Sequence, residues 1–386
     1  MSSFVFNTTK SLIFESGAAA RLADHCAGSL SGNCFFITDP TLRELGLCDG
    51  AVASLESAGM TVNVFSDVEA DPSLATVLAA VEAAKASNST CVVGFGGGSS
   101  LDVSKLVALL VASDQDLNEA WGVGNARGPR LPLVAVPTTA GTGSEVTPIS
   151  IVTVSEEEKR GVSSPVILPD IAVLDPDLTL SLPPHVTAAT GVDAMVHAIE
   201  AYASRNPNNN PVSKLLACEA LRLLGANIET AVHKGDDLQA RSAMLLGSML
   251  AGQAFANSPV AAVHALAYPI GSTFHVSHGL SNTLVLPHVL RFNAPNAADS
   301  YSEIAPTVFP ALADVEHGPA RCGAFIDELG CLSKRLGLQT KLRDVGIPKD
   351  ALSKMAADAM LQTRLLVNNP RELSESDAFD IYKAAW

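Results

Sequence analysis

Cys91-Val92-Val93-Gly94-Phe95-Gly96-Gly97-Gly98-Ser99-Ser100-Leu101-Asp102-Val103-Ser104-Lys105 passes from a β-type run through glycines into a helical pattern. Glycines let the backbone come close to a pyrophosphate, and the free N–H groups of a helix start bind anions. Ser99 and Asp102 have the spacing of a capping box, with Asp in place of the usual Glu or Gln. The stretch departs from the dinucleotide fingerprint GxGxxG, because Ser99 stands where the last glycine belongs. It also lacks the GK[ST] of a Walker A loop. A glycine-rich turn that merely packs tightly would read in the same way.

On either side, short β-type runs alternate with helical segments. CFFIT (34–38), VNVF (62–65), CVVGF (91–95), LPLVAVP (131–137) and IAVLD (171–175) read as buried strands. LATVLAAVEAAKAS (74–87) and LDVSKLVALLVAS (101–113) read as helices between them. Such alternation implies a parallel, doubly wound sheet. After Leu182-Pro183-Pro184 the β-type runs nearly vanish, and Ala- and Leu-rich helical segments such as DAMLQTRLL (358–366) continue to the C-terminus. The expected organisation is an α/β domain over 1–182 and an all-α domain over 183–386, with an active-site cleft between them.

Two further features fall at the expected carboxyl edge of the sheet, where open α/β folds bind ligands. Pro137-Thr138-Thr139-Ala140-Gly141-Thr142-Gly143-Ser144-Glu145-Val146-Thr147 places hydroxyls and two glycines after the fourth strand. Asp39 ends the first strand, where a carboxylate can accept hydrogen bonds from an adenosine ribose and repel a 2′-phosphate. A turn-capping Asp is the alternative.

The chain has 386 residues, about two domains' worth. It is 47% hydrophobic and 17% charged, which excludes a disordered protein. Forty acids against 25 bases give a net charge of -15, arguing against nucleic-acid binding, which needs Lys and Arg. From Ser242 to Leu290 there is no Asp, Glu, Lys or Arg. Gln253, Asn257, Pro259, His264, Pro269, His275 and His278 interrupt that stretch, so it reads as buried core rather than a membrane span. The seven cysteines are scattered without a CxxC pair, and the N-terminus lacks the pattern of a secretory signal. A cytoplasmic protein is expected.

Asp193 and His197 lie four apart in a helical stretch, hence on one face. The charge-free region adds His264 and His278. One carboxylate and three imidazoles suit Fe(II) or Zn(II) better than Mg or Ca. Sequence spacing does not join 193–197 to 264–278 in space, and a surface Asp–His hydrogen bond is the plainer reading of the first pair.

Taken together, GFGGGSSLDVSK (94–105), PTTAGTGSEVT (137–147), SSPVILPDIAVLDP (163–176), ATGVDAMVHAIEAY (189–202), AVHALAYPIG (262–271), HVSHGLSNTLVLPHVLRFN (275–293) and VNNPREL (367–373) resemble the iron-containing (group III) alcohol dehydrogenase family. The resemblance implies an N-terminal dinucleotide-binding domain, a helical C-terminal domain and a metal in the cleft. It assigns Asp193, His197, His264 and His278 as metal ligands. It sets the pyrophosphate near Gly97, Gly98 and Ser99, with Asp102 close to the nicotinamide-side contacts. Thr138, Thr139, Thr142 and Thr147 would line the cofactor, Lys159 would approach its ribose, and Asp39 matches the position that favours NAD over NADP. A homodimer or larger homo-oligomer is implied as well.

One position departs from the pattern. Many members carry a histidine four residues after the third ligand, proposed as part of a proton path, and here Tyr268 stands there. An ordinary tyrosine hydroxyl, with a pKa of about 10, is a poor base at neutral pH. His275 is the substitute, unless it is only a solvent-facing turn residue. Phe255 and Tyr268 are candidate pocket walls, or ordinary helix packing. The expected reaction is reversible NAD(H)-dependent oxidation of a small primary alcohol to its aldehyde, assisted by Fe2+ or Zn2+. The rivals are a glycerol or diol dehydrogenase and a dehydroquinate-synthase-like lyase. The charge-free stretch leaves Asp193 as the single matched carboxylate of the expected pocket.

Overall fold

The computed structural model describes residues 3–155 and 158–386. Two compact units divide it, Asn7–Leu180, and Ser181–Trp386 together with the N-terminal residues through Phe6.

The first unit contains strands β1 (Ser11–Phe14), β2 (Asn33–Ile37), β3 (Thr61–Phe65), β4 (Cys91–Gly96), β5 (Gly122–Val123), β6 (Leu133–Pro137), β7 (Ile149–Ser155), β8 (Glu158–Ser163) and β9 (Ile171–Leu174). Its helices are α1 (Leu22–His25), α2 (Pro40–Glu44), α3 (Asp49–Ser57), α4 (Leu74–Ala86), α5 (Gly98–Ala112) and α6 (Leu117–Ala120). Six strands form a parallel sheet in the order β1-β9-β6-β4-β2-β3. Side chains alternate between its faces, as a strand's period of two requires. Cys34 and Phe36 enter a core with Leu22, Ala51 and Leu55, while Phe35 and Ile37 enter another with Val77, Ala80 and Leu106. Helices therefore cover both faces, the doubly wound arrangement expected.

From β2 the chain steps to β3 on one side, then returns to β4 on the other and continues to β6 and β9. The order thus reverses between β2 and β4, and such a reversal opens a ligand crevice at the carboxyl ends of the strands. The segments leaving β2, β4 and β6 carry Asp39, residues 97–99 and residues 138–147.

All five expected strands are present within about two residues of their expected ends. The edge strand β1 and the second sheet, β5-β8-β7, were not anticipated. β7 and β8 pair antiparallel, and β8 (EKRGVS) is too polar to carry a strand signal by itself. The capping box does not form. Helix α5 begins at Gly98 with Gly97 as its N-cap, and the Asp102 carboxylate turns away to Ser144 and Ile151.

The second unit is helical among the described residues: α7 (Pro184–Ala203), α8 (Pro211–His233), α9 (Leu238–Asn257), α10 (Ala262–Phe274), α11 (His278–Val308), α12 (Pro319–Arg335), α13 (Leu352–Met360), α14 (Thr363–Leu366) and α15 (Glu375–Ala385). Prolines at the first turns of α7, α8 and α12 fit positions where an N–H has no intrahelical partner. Asn210 and Asp237 cap α8 and α9 through Ser213 N–H and Ala240 N–H. The segment 358–366 is broken between α13 and α14 rather than continuous. α7 packs against α8, α9 and α11, and α10 packs on α11. The charge-free stretch spans most of α9, all of α10 and the start of α11. No helix among the described residues is long and apolar enough to cross a membrane.

Candidate metal centre and cofactor loops

Helix α7 projects Asp193 and His197 from one face. Helix α10 brings His264 in its first turn, and α11 brings His278 as its first residue. One donor atom from each of the four lies within 4.8 Å of the others. Asp193, His197 and His264 are buried, whereas the His278 side chain is 41% exposed. Two backbone features bring the last pair in. His275, left-handed at φ 55°, ends α10, and Ser277 starts α11. Gly279 then lets α11 approach α7 so closely that a Cβ there would sit 2.3 Å from the carbonyl oxygen of Ala189.

The rings are held as well as placed. His197 stacks between Phe255 (ring centroids 4.3 Å apart) and His264 (4.7 Å). Phe255 therefore supports the His197 ring. Asn282 Nδ2 donates to Asp193 Oδ1 at 2.6 Å, and Oδ1 lies 3.7 Å from His278 Nε2 and 3.9 Å from His264 Nε2. Burial pushes the Asp193 carboxyl up. The imidazoles of His197, His278 and His264 and the Asn282 amide outweigh that and leave it below the ordinary carboxylate range.

Glu200, three residues beyond His197, was not singled out from the sequence. Its buried carboxylate accepts from Ala261 N–H (2.9 Å), Val263 N–H (2.7 Å) and His264 Nδ1 (2.7 Å). The expectation of Asp193 as the single carboxylate of the pocket is thus corrected, because two carboxylates from α7 flank His264. The Glu200 carboxylate can only accept, so Nδ1 donates to it and a neutral His264 leaves Nε2 as an acceptor. That atom is buried without a hydrogen-bond partner. An orphaned acceptor facing a carboxylate and two further imidazoles fits a bound cation, and nitrogen donors favour Fe(II) or Zn(II). The signal in the sequence was the 193, 197, 200 periodicity, which puts all three on one helix face.

Tyr268 lies edge-on to His278 with ring centroids 6.4 Å apart. Its hydroxyl accepts from Arg364 at 3.1 Å. His275 is exposed on the turn between α10 and α11.

In the first unit the glycine and threonine loops meet. A Cβ on Gly98 would lie 2.9 Å from Thr142 Cγ2, and one on Gly97 3.6 Å from Thr139 Cγ2. The first turn of α5, which leaves its N–H groups without intrahelical carbonyls, opens beside these hydroxyls. Gly97, Gly98 and Ser99 are partly exposed there. N–H groups open at a helix start in this way can receive an anion. Asp39 caps α2 by accepting from Leu42 N–H at 2.9 Å, so the turn-capping role is present.

Four residues read as cofactor contacts are engaged within the protein. Thr138 is buried, with its N–H donating to Gly96 O. Lys105 Nζ donates to Ser144 Oγ (2.6 Å), Ile149 O (2.5 Å) and Thr147 Oγ1 (3.3 Å). Ser144 Oγ in turn donates to Asp102 Oδ1 at 2.6 Å. Burial pushes Asp102 up and Lys105 down, each partly offset by the other's charge, and burial lifts Glu145 to about 7. Lys159 Nζ pairs with Asp71 at 2.6 Å.

Comparison with known proteins gives the same reading over the whole chain. Residues 9–176 match the sequence model for iron-containing alcohol dehydrogenase, and residues 187–386 match that for the C-terminal part of the Fe-containing alcohol dehydrogenase family. Long-chain-alcohol dehydrogenase 1 of Geobacillus thermodenitrificans (strain NG80-2) is 42% identical over 356 residues, covering 91% of this chain and 88% of that protein. The crystal structure of a 1,3-propanediol oxidoreductase superposes with a TM-score of 0.95 at 32% identity, covering 100% of both chains. Sulfoacetaldehyde reductase from Bifidobacterium kashiwanohense, solved in complex with NAD+, superposes with a TM-score of 0.88 at 27% identity, covering 100% of this chain and 99% of that one. The family models cover almost the whole chain, these relatives match it at up to 42% identity, and the four donors converge, so the chain belongs to the iron-containing alcohol dehydrogenase family.

Proposed function

We propose that this chain catalyses reversible hydride transfer between a small primary alcohol and NAD, with Fe2+, or Zn2+ in its place, at Asp193, His197, His264 and His278. The observation that carries the reading is the convergence of four donors around the orphaned Nε2 of His264. A cation held there would supply Lewis-acid polarisation of a substrate oxygen, and NAD would supply the hydride-transfer chemistry. The chain's own residues bind and orient. Asp193 brings the negative charge, Asn282 fixes its carboxylate, and Phe255 and His264 hold the ring of His197. Gly97, Gly98 and Ser99 would receive the pyrophosphate, with Thr139 and Thr142 beside them. Asp102, Thr147 and Lys105 would act by holding that loop in shape, and Asp39 would favour the free 2′-hydroxyl of NAD.

Tyr268 and His275 remain the candidates for passing the alcohol proton to solvent. Tyr268 is the better supported, because it touches the ring of His278 and its hydroxyl, accepting from Arg364, keeps its own proton free to donate. A diol is the second reading of the substrate, favoured by the full-length superposition on a 1,3-propanediol oxidoreductase.

We further read the protein as a homo-oligomer in the cytoplasm. The edge strand β1 exposes Leu12 and Phe14, and proteins ordinarily cover such edges. Seven free thiols suit a reducing compartment. A panel of primary alcohols, diols and aldehydes run with NAD and NADP tests the activity. Turnover of primary alcohols with NAD, lost in His264→Ala, supports it, and unchanged turnover in that variant sinks the metal mechanism.

A further inference from the structure

Helix α10 has no side-chain cap of its own, since its N-cap is Ala261. The groups that a cap would satisfy are taken by a residue 61 positions earlier in the chain: Glu200 Oε2 accepts from Ala261 N–H, and Oε1 from Val263 N–H. The same Oε2 accepts from the Nδ1 of His264. One buried carboxylate therefore fixes the start of a helix and the ring of the ligand in its first turn. Carbons alone do not set which imidazole nitrogen carries the proton; the hydrogen bond made by the other nitrogen does. Among the described residues no Lys or Arg pairs with Glu200, whose charge is met only by these donors and the positive end of α10.

We propose that Glu200 is the positioning residue of the metal centre. It locks His264 in the Nδ1–H tautomer and aims Nε2 inward, and its charge complements a divalent cation across the imidazole. The proposal rests on the reading of the four ligands given above. Three consequences are fixed by the geometry. The metal-free protein already holds His264 in the binding tautomer. Removing the charge of Glu200 while keeping its shape weakens metal binding. The effect reaches the metal through His264, without any contact to the cation.

The test compares wild type, Glu200→Gln and Ser204→Ala by chelator competition with Co2+ and by the visible spectrum of the bound Co2+. Ser204 Oγ donates to Pro259 O at 2.8 Å, so its loss loosens the same α7–α10 junction without touching His264. The expected result is a 10- to 100-fold weaker Co2+ affinity and a shifted ligand-field spectrum in Glu200→Gln, the range typical for loss of a carboxylate behind a metal-bound histidine. Ser204→Ala is expected to lower the melting temperature while keeping both metal readouts. Wild-type affinity and spectrum in Glu200→Gln, or an equal loss in Ser204→Ala, overturns the positioning role. If Glu200→Gln does not fold, nitrogen NMR of the histidines in the metal-free wild-type protein decides: Nδ1–H on His264 supports the role and Nε2–H overturns it. Failure of the wild-type protein to bind Co2+ at the four residues would instead sink the metal site itself.

Discussion

Gly98 faces Thr142 with no room for a methyl group, since a Cβ would come within 2.9 Å of Thr142 Cγ2. Gly98→Ala is therefore expected to push the threonine loop away from the first turn of α5. NAD affinity should fall at least tenfold, about 1.4 kcal/mol, while metal content stays at the wild-type level. Calorimetric NAD titration with metal analysis checks both halves of that statement. Asp39 is expected to behave differently, because it caps α2 and is proposed also to face the cofactor's ribose. Asp39→Gly removes a carboxylate that would repel a 2′-phosphate, so use of NADP should rise relative to NAD. Glycine is itself an acceptable N-cap, so the loss of stability should be only a few tenths of a kcal/mol. Unchanged NAD preference in that variant would confine Asp39 to capping. At this scale much was legible. Asp193, His197, His264 and His278 could be named from residue type and resemblance, and they converge. Glu200 could not, because the meaning of a buried glutamate depends on which N–H groups a distant helix start leaves unpaired. Asp102, Thr147 and Lys159 carried a similar ambiguity, since a polar residue at a sheet edge can serve a ligand or the loop itself.

Helix α11 meets α7 at Gly279, and that contact decides whether His278 can reach Asp193. Gly279→Ala would drive a methyl group against the Ala189 carbonyl, a backbone atom that cannot swing aside. Stability is expected to fall by about 1–3 kcal/mol, with metal retention reduced, as read by thermal melts with and without Co2+. A second contact ties the elements of the parallel sheet. Asp170 precedes β9 and accepts from Lys10, Arg130 and Leu133 N–H, joining the loops before β1 and β6. Burial pushes this carboxyl up, but the Arg130 and Lys10 partners more than offset that and hold it at about 2. A folded value below the unfolded one means that the ionised form stabilises the fold. That contribution is complete above about pH 4 and is lost as the pH falls towards 2. Asp170→Asn is expected to cost roughly 1–2 kcal/mol at pH 7 and to lose less stability than wild type between pH 4 and 2. Parallel pH-dependent melts check it. Of the strands beside these contacts, β6 and β9 were readable because buried parallel strands are unbroken apolar runs, whereas the largely exposed edge strand β1 was not. β8 was not, because its polar sequence becomes a strand only when β7 pairs with it.

For the whole molecule, the uneven distribution of charge proved informative but incomplete. The stretch from 242 to 290 does supply two of the four converging donor residues, His264 and His278, and, with Phe255, an aromatic support. The imidazoles of His197, His278 and His264, with the Asn282 amide, offset the burial of Asp193 and hold its carboxyl below the ordinary carboxylate range. The missing part was the second carboxylate, which enters from α7, outside the stretch. The passage from an α/β architecture to a helical one was visible in the change from alternating runs to continuous helix, because each architecture has its own hydrophobic period. The sheet order was not, since strand neighbours depend on crossovers that local patterning does not encode. The central claim is that alcohol oxidation with NAD depends on a cation held by Asp193, His197, His264 and His278. It is tested most directly by stripping the anaerobically purified protein of metal, titrating Fe2+ back, and following bound metal and NADH formation together. One Fe2+ should bind per chain, NADH formation should rise in proportion to occupancy, and neither should be seen in His264→Ala. Full NADH formation by the metal-free protein, or by metal-free His264→Ala, would contradict it.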